Sequence, residues 1–376
     1  MKEQTSEIRA AAYLETLLQD LRYAARVFRK SPGFFAVAVV TLGLGIGATT
    51  ALFSIVNAVL LRSLPFPDAD RLASLAEVND EGGASHVSYL DFDDWRTQNR
   101  SFEYLAAYGD GDSNISSGNS AVRAHVALVT QDFFKVFGAK PIIGRDFAPS
   151  EHRPGAAISV LISDAVWRGM YASTPNILGL TIKLLGGIQC TIIGVMPPGF
   201  NFPESTQLWA TAELTNEGLQ SRTAHNFAVV GKLKPGVPIS VAQQDIGSIS
   251  RRIKRQFPGV YQAKDAQVLS LRDRMVGSIK PALWTLLAAV GFVLLIVCVN
   301  VANLLLARGS ARAYELAIRG ALGAARGRLI RQLIIESIAL AAAGGAAGLV
   351  LAWWSLRILK FFVPTNVPRI ETVAID

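Results

Sequence analysis

The chain has 376 residues, of which 51% are hydrophobic and only 18% charged, with a net charge of +8. That composition excludes intrinsic disorder, and two cysteines in this length exclude a disulfide-stapled scaffold. The apolar residues are clumped, which argues against an ordinary soluble enzyme.

Residues 1–33 carry Leu14, Leu17, Leu18, Leu21, Ala25 and Phe28 at helical intervals, with Arg22, Arg26 and Arg29 on other faces. The pattern predicts a basic amphipathic helix along the inner membrane surface, broken by Ser31-Pro32-Gly33. Residues 34–61 then contain no Asp, Glu, Lys or Arg. A bilayer core about 30 Å thick needs roughly 20 apolar residues, so this run can span it. It is also too long for the apolar core of a cleaved signal peptide. Two further uncharged runs, 281–307 and 337–356, meet the same criterion.

Between the first two runs, residues 62–280 alternate strand-like and helix-like stretches. Strands are predicted over 71–78, 103–108, 125–129, 158–162, 227–233 and 266–271, with a hairpin of 181–185 and 189–195 across Gly186-Gly187-Ile188. Helices are predicted over 88–98, 130–137, 163–171 and 240–257, the last capped by Ser240 and stopped by Pro258-Gly259. Ile246, Ile249, Ile253 and Phe257 form its core face, leaving Arg251, Arg252, Lys254 and Arg255 to solvent. The mixture implies an α+β domain with its own core.

Charge sets the orientation. Lys2, Arg9, Arg22, Arg26, Arg29 and Lys30 precede the first run, and Arg308, Arg312, Arg319, Arg326, Arg328 and Arg331 lie between the second and third. Short basic segments stay in the cytoplasm, whereas long ones cross regardless of charge. Residues 1–33 and 308–336 are therefore expected inside, and 62–280 outside. The expected fold class is a membrane protein, a bundle of three transmembrane helices with a large α+β extracytoplasmic domain. Residues 357–376 become an outside tail. The basic segments suit anionic lipid or an acidic protein surface, not nucleic acid.

Gly43 and Gly47 are four apart in the first span, as are Gly344 and Gly348 in the third, a spacing that lets helix backbones approach closely. Asn300 and Asn303 in the second span, and Asn57 in the first, are expected to make interhelical hydrogen bonds. The search for chemistry is negative. No phosphate-binding loop occurs, and His86, His125, His152 and His225 lack metal-ligand spacing. Asp91, Asp93 and Asp94 read as charges favourable near a helix N-terminus, and Cys190 as a packed residue. No catalytic, cofactor or metal site is assigned. Segment 308–331 interleaves its arginines with Leu316, Ile318, Leu322, Leu329 and Ile330, as a docking helix would.

Residues 299–308 (VNVANLLLAR) and 315–324 (ELAIRGALGA) resemble the signature of MacB/FtsX-type ABC transporter permeases. Residues 18–26 (LQDLRYAAR) and 42–48 (LGLGIGA) are similar to the macrolide-exporter branch and, more narrowly, to the acidobacterial duplicated permeases. Residues 194–200 (GVMPPGF) and 231–237 (GKLKPGV) resemble the periplasmic core domain of that family. The resemblance implies a permease subunit without its own nucleotide-binding domain, working with a separate cytoplasmic ATPase that binds the ATP. It also implies homo- or heterodimeric permease units, an adaptor protein and an outer-membrane channel. Arg308, Arg312, Glu315, Arg319, Leu322 and Arg326 become the expected ATPase contacts. The family has four spans per unit, so the chain is expected to stop short of a fourth. The expected activity is export of a macrolide- or peptide-like substrate by mechanotransmission. A non-transporting FtsX-type scaffold acting on a cell-wall enzyme and a lipoprotein-releasing permease are the alternatives.

Overall fold

A computed structural model describes residues 26, 29, 31–57, 60, 62, 64–117, 120–153, 155–184, 187–203, 205–212, 221–261, 263–277, 279–311, 318 and 326–362. The chain divides into two compact units: Met1–Arg62 with Ile279–Asp376, and Ser63–Ser278. In chain order the helices are α1 (Pro32–Val56), α2 (Tyr89–Gln98), α3 (Phe133–Phe137), α4 (Asp164–Tyr171), α5 (Ile239–Gln256), α6 (Leu271–Val276), α7 (Lys280–Ala311) and α8 (Arg326–Phe362). The strands are β1 (Leu72–Val78), β2 (Ala84–Ser85), β3 (Val87–Ser88), β4 (Phe102–Ser117), β5 (Ser120–Val129), β6 (Ile143–Gly144), β7 (Ser159–Ile162), β8 (Thr181–Lys183), β9 (Gln189–Val195), β10 (Thr206–Thr211), β11 (His225–Leu233) and β12 (Asp265–Ser270).

Among the described residues three helices, all in the first unit, are long and apolar enough to cross a membrane, over Pro32–Val56, Lys280–Ser310 and Ile334–Ile358. Pro32 opens α1, where a missing N–H costs nothing. Hydroxyls inside α1 are satisfied locally: Thr41 Oγ1 donates to the Val37 carbonyl at 2.7 Å, and Thr49 Oγ1 to that of Gly45 at 2.8 Å. Such bonds remove polar groups from lipid without a second helix.

The second unit is built on one sheet, ordered β12-β1-β11-β4-β5-β10-β7-β9-β6, with β2 on β1, β3 on β11 and β8 joining β4 and β9. Among the described residues pairing is antiparallel, except where β5 meets β10 and β7 meets β9 in parallel. Side chains alternate between the two faces, as a period of two requires. Leu105 and Ala107 of β4 enter one core and Ala106 another; Val160 and Ile162 of β7 part from Leu161 in the same way. On one face α2 and α5 cover β1, β4, β11 and β12 with Phe92, Trp95, Ile246 and Ile249. Further along that face α4 covers β7, β9 and β10, and Leu128 of β5 borders both cores. The opposite face is aromatic, packing Phe133, Phe134 and Phe137 of α3 against Phe200, Phe202 and Trp209.

Local chemistry fixes the helix starts. Ser88 Oγ accepts the N–H of Asp91 at 3.1 Å, and Ser163 Oγ that of Val166 at 3.2 Å. The expected cap at Ser240 is displaced. Pro238 precedes the first turn of α5, and its carbonyl already accepts the N–H groups of Val241 and Ala242 at 3.1 and 3.2 Å. Gly231 in β11 is required by packing, since a Cβ there would lie 2.6 Å from the Phe102 ring.

Candidate functional site

The helices of the first unit meet where side chains are smallest. A Cβ added at Gly43 would lie 3.3 Å from Cβ of Ala347, and one at Gly47 would lie 2.9 Å from the Gly348 carbonyl oxygen. From the α8 side, a Cβ at Gly344 would meet Leu42 Cβ at 2.6 Å, and one at Gly348 would meet Ile46 at 3.0 Å. Gly43, Gly47, Gly344 and Gly348 thus line one α1–α8 seam.

Gly45 was not among the residues singled out from sequence, yet it has the same relation to α7. A Cβ there would sit 3.0 Å from Val297 Cγ2. Two residues along a helix turn it by about 200°, so Gly45 points away from Gly43 and Gly47. The alternating run 42–47 (LGLGIG) therefore serves two neighbours at once, a signal legible in the sequence had the odd glycine been considered. Lipid supplies no hydrophobic drive for helix association, so such backbone approach and its dispersion contacts carry the packing. Toward one end, Ala38 of α1, Val301 of α7 and Leu340 of α8 are buried together beside Phe34, Phe35 and Leu305.

At that end Arg308 is engaged within the unit. Its Nη2 donates to Ser31 Oγ at 2.8 Å, and its guanidinium lies 4.5 Å from the centroid of the Phe34 ring. The remaining expected ATPase contacts receive no geometry. Arg312, Glu315, Arg319 and Leu322 lie outside the described residues, as do Leu14, Leu17, Leu18, Leu21, Ala25 and Phe28 of the expected amphipathic helix, and Arg326 is the first residue of α8. Asn300 and Asn303 stand on the exposed side of α7, because Val297 and Val301, four apart, take the side toward α1. Asn300 instead borders a shallow groove with Phe292, Leu295, Ile296 and Val299. Arg357 lies 4.7 Å from the Trp353 ring, beside the exposed Trp354, a pairing suited to a membrane interface.

In the lobe, Asp91 is more than a helix-start charge. It is buried, bonded to Ser88 Oγ and paired with Arg222, which also reaches Asp94 at 2.7 Å. Cys190 is buried, and that burial pushes its thiol up to about 11, so it is inert at neutral pH. Among the described residues no group of three or more His, Cys, Asp or Glu is placed to hold a metal ion.

Comparison with known proteins gives a consistent result. The profile of the MacB-like periplasmic core domain family matches residues 35–249, and that of the FtsX-like permease C-terminal family matches residues 287–375. Curated relatives include the macrolide export ATP-binding/permease protein MacB of Burkholderia thailandensis, 27% identical over 248 residues, 65% of this chain and 37% of that protein. The MacB protein of Chromobacterium violaceum is 28% identical over 251 residues, again 65% of this chain and 37% of that protein. The chain thus spans little more than a third of the length of these relatives. Among solved structures, the periplasmic region of MacB from Actinobacillus actinomycetemcomitans matches with TM-score 0.43 and 15% identity, covering 56% of this chain and 94% of that one. The extracellular domain of the noncanonic ABC-type transporter YknZ from Gram-positive bacteria matches with TM-score 0.41 and 13% identity, covering 53% and 99%.

Proposed function

The chain belongs to the MacB/FtsX-type ABC transporter permeases, and on that premise we propose that it transmits the ATP cycle of a separate cytoplasmic ATPase to its extracytoplasmic lobe, expelling a macrolide- or peptide-like substrate. In this reading the chain is one unit of a duplicated pair, an assignment supported by the resemblance of residues 18–26 and 42–48 to the duplicated acidobacterial permeases. The N-terminus and segment 308–336 face the cytoplasm, and the lobe faces the periplasm, where it meets an adaptor.

The observation that supports this reading is the double seam on α1. Its glycines bring it close to both α7 and α8, so neither neighbour shifts without displacing it. The chain continues from α1 and α7 into the two ends of the lobe, and those ends become the adjacent strands β1 and β12. A push on the helices is thereby delivered to one edge of the sheet. Such coupling works only if the partner's nucleotide states make different contacts with the permease. Arg312, Glu315, Arg319, Leu322 and Arg326 are our assignment for those contacts. Arg308, held by Ser31 and Phe34, would act beside them by fixing the ends of α1 and α7 together.

The test is reconstitution of the full chain with candidate ABC ATPases from the same cell. Arg319→Glu should abolish stimulated ATP hydrolysis while leaving membrane insertion intact. Undiminished stimulation would overturn the docking assignment. Labelling of a cysteine at position 221, but not one at 312, by an impermeant thiol reagent on spheroplasts checks the orientation.

A further inference from the structure

The interior of the lobe holds an ionisable cluster that the transport reading leaves unused. Glu77 of β1 and Asp91 of α2 are both fully buried. Asp91 accepts from Ser88 Oγ at 2.6 Å and from Arg222, whose other nitrogen reaches Asp94 at 2.7 Å. Arg222 also lies 4.3 Å from the Phe257 ring, which fixes the guanidinium in place. The local cation is thus committed to the two aspartates. Nδ1 of His225 stands 3.0 Å from Glu77 Oε2 but also 3.2 Å from the His86 carbonyl. Both Glu77 oxygens, Nε2 of His225 and the Tyr261 hydroxyl are buried without a hydrogen-bond partner among the described residues.

An ionised carboxylate in that position would be a second buried negative charge beside Asp91, and the Ser88 backbone N–H and the shared Arg222 offset only part of that cost. The cost of such a group is large, and a protein avoids it by neutralising the group. Burial first, and then the charge of Asp91, push the Glu77 carboxyl up to about 9. A neutral carboxyl carries an O–H, and the Asp91 carboxylate is the acceptor beside it. The other charged or titratable groups facing the pair are Asp94 of α2, Arg222 before β11, His225 at the start of β11, and Tyr261 after α5. Asp265 of β12 is occupied 3.6 Å from Arg251, and Lys254 of α5 donates to the Ala263 carbonyl at 3.1 Å.

We propose that Glu77 and Asp91 form an internal proton site: one proton held between the two carboxyls seats α2 on the sheet, and its loss loosens α2 and the Arg222 segment. The ligand is the proton itself, and the lobe becomes a sensor of alkaline surroundings. The site does not depend on what the permease carries.

The sign follows from linkage. Glu77 binds its proton more tightly folded than unfolded, so its stabilising effect is complete in acid, declines above the ordinary carboxyl range and is lost as pH passes about 9. The experiment uses the full chain in detergent. The melting midpoint of the wild type should fall by about 5 °C or more between pH 6 and pH 10, whereas Glu77→Gln, which keeps an N–H donor toward Asp91, should stay nearly level. Infrared spectra at pH 7 should show a protonated-carboxyl band in the wild type that disappears in Glu77→Gln. An equal pH-dependent fall in both proteins, or a band that survives the substitution, overturns the proposal. Should Glu77→Gln not fold, the wild type decides alone: a midpoint unchanged between pH 7 and pH 10 also overturns it.

Discussion

The two units pack by opposite means. In the lobe, cores form where large side chains are brought together: Trp95, Trp209, Phe92, Phe133, Phe134 and Phe137 are almost entirely buried. In the helical unit contact forms where side chains are missing, at Gly43, Gly45, Gly47, Gly344 and Gly348. The difference reflects the solvent. Water rewards removal of apolar area, whereas lipid does not distinguish a buried leucine from an exposed one. On α7, accordingly, Phe292, Leu295 and Ile296 are exposed in positions that would destabilise the lobe but suit a hydrocarbon.

Five substitutions sharpen that contrast. The largest effect belongs to the aromatic core. Trp209→Ala empties a site between Phe134 and Phe200, and removes the indole N–H that donates to the Phe202 carbonyl at 2.8 Å. It should cost about 3–5 kcal/mol in denaturant unfolding followed by lobe fluorescence. Next come two adjacent glycines. Gly344→Ala drives a methyl to 2.6 Å from Leu42 Cβ and should cost about 1–3 kcal/mol, whereas Gly345→Ala meets nothing within 4 Å. Gly345→Ala should be neutral or slightly stabilising through helix propensity, by up to about 1 kcal/mol. Equal loss at both positions in detergent unfolding would dissolve the proposed seam.

A weaker effect depends on pH. Burial alone would raise the Glu151 carboxyl, but bonds from Arg145, Ser159 Oγ and the Ala148 N–H overcome it and hold it at about 2. Its folded value is below its unfolded one, so its contribution is present above the ordinary carboxyl range and fades as pH falls toward 2. Melting midpoints of the wild type should decline over that interval more steeply than those of Glu151→Gln. A modest loss is expected for Ser163→Ala, which removes the hydroxyl that accepts the Val166 N–H at the start of α4, for about 1 kcal/mol, read by circular dichroism during melting.

Legibility in the sequence followed the same division. Short apolar runs, such as β1, β7 and β11, stand within a residue or two of expectation, as does the hairpin of β8 and β9 with Ile182 opposite Cys190. β4 is far longer than the stretch 103–108, because Gly109-Asp110-Gly111-Asp112-Ser113-Asn114 has the composition of a turn. What holds it extended is register with β5, where Asp112 sits opposite His125 and Asn114 opposite Arg123. His125 bridges Asp112 at 3.0 Å and Asp110 at 2.8 Å, and Arg123 reaches Asp112 at 2.6 Å. Cross-strand charge pairing of this kind is invisible until the partner is known. β10 is not expected from sequence because Thr206, Gln207 and Thr211 leave it an apolar run of only three residues, Leu208 to Ala210, although the strand is buried on both faces. The glycine pairs of α1 and α8 were visible as spacings, but the role of Gly45 needed α7. The charge cluster around Glu77 joins residues more than a hundred positions apart, which no local pattern reveals.

The placement of β1 between β11 and β12 carries a consequence for biosynthesis. The first strand of the lobe to leave the ribosome can be completed only by the last two. At a synthesis rate of about 5–20 residues per second, that wait is on the order of ten seconds. During it the hydrophobic edge bearing Leu72, Ala73 and Leu75 has neither neighbour. A nascent chain in this condition invites a holding chaperone, and the lobe should mature only after β11 and β12 have been made.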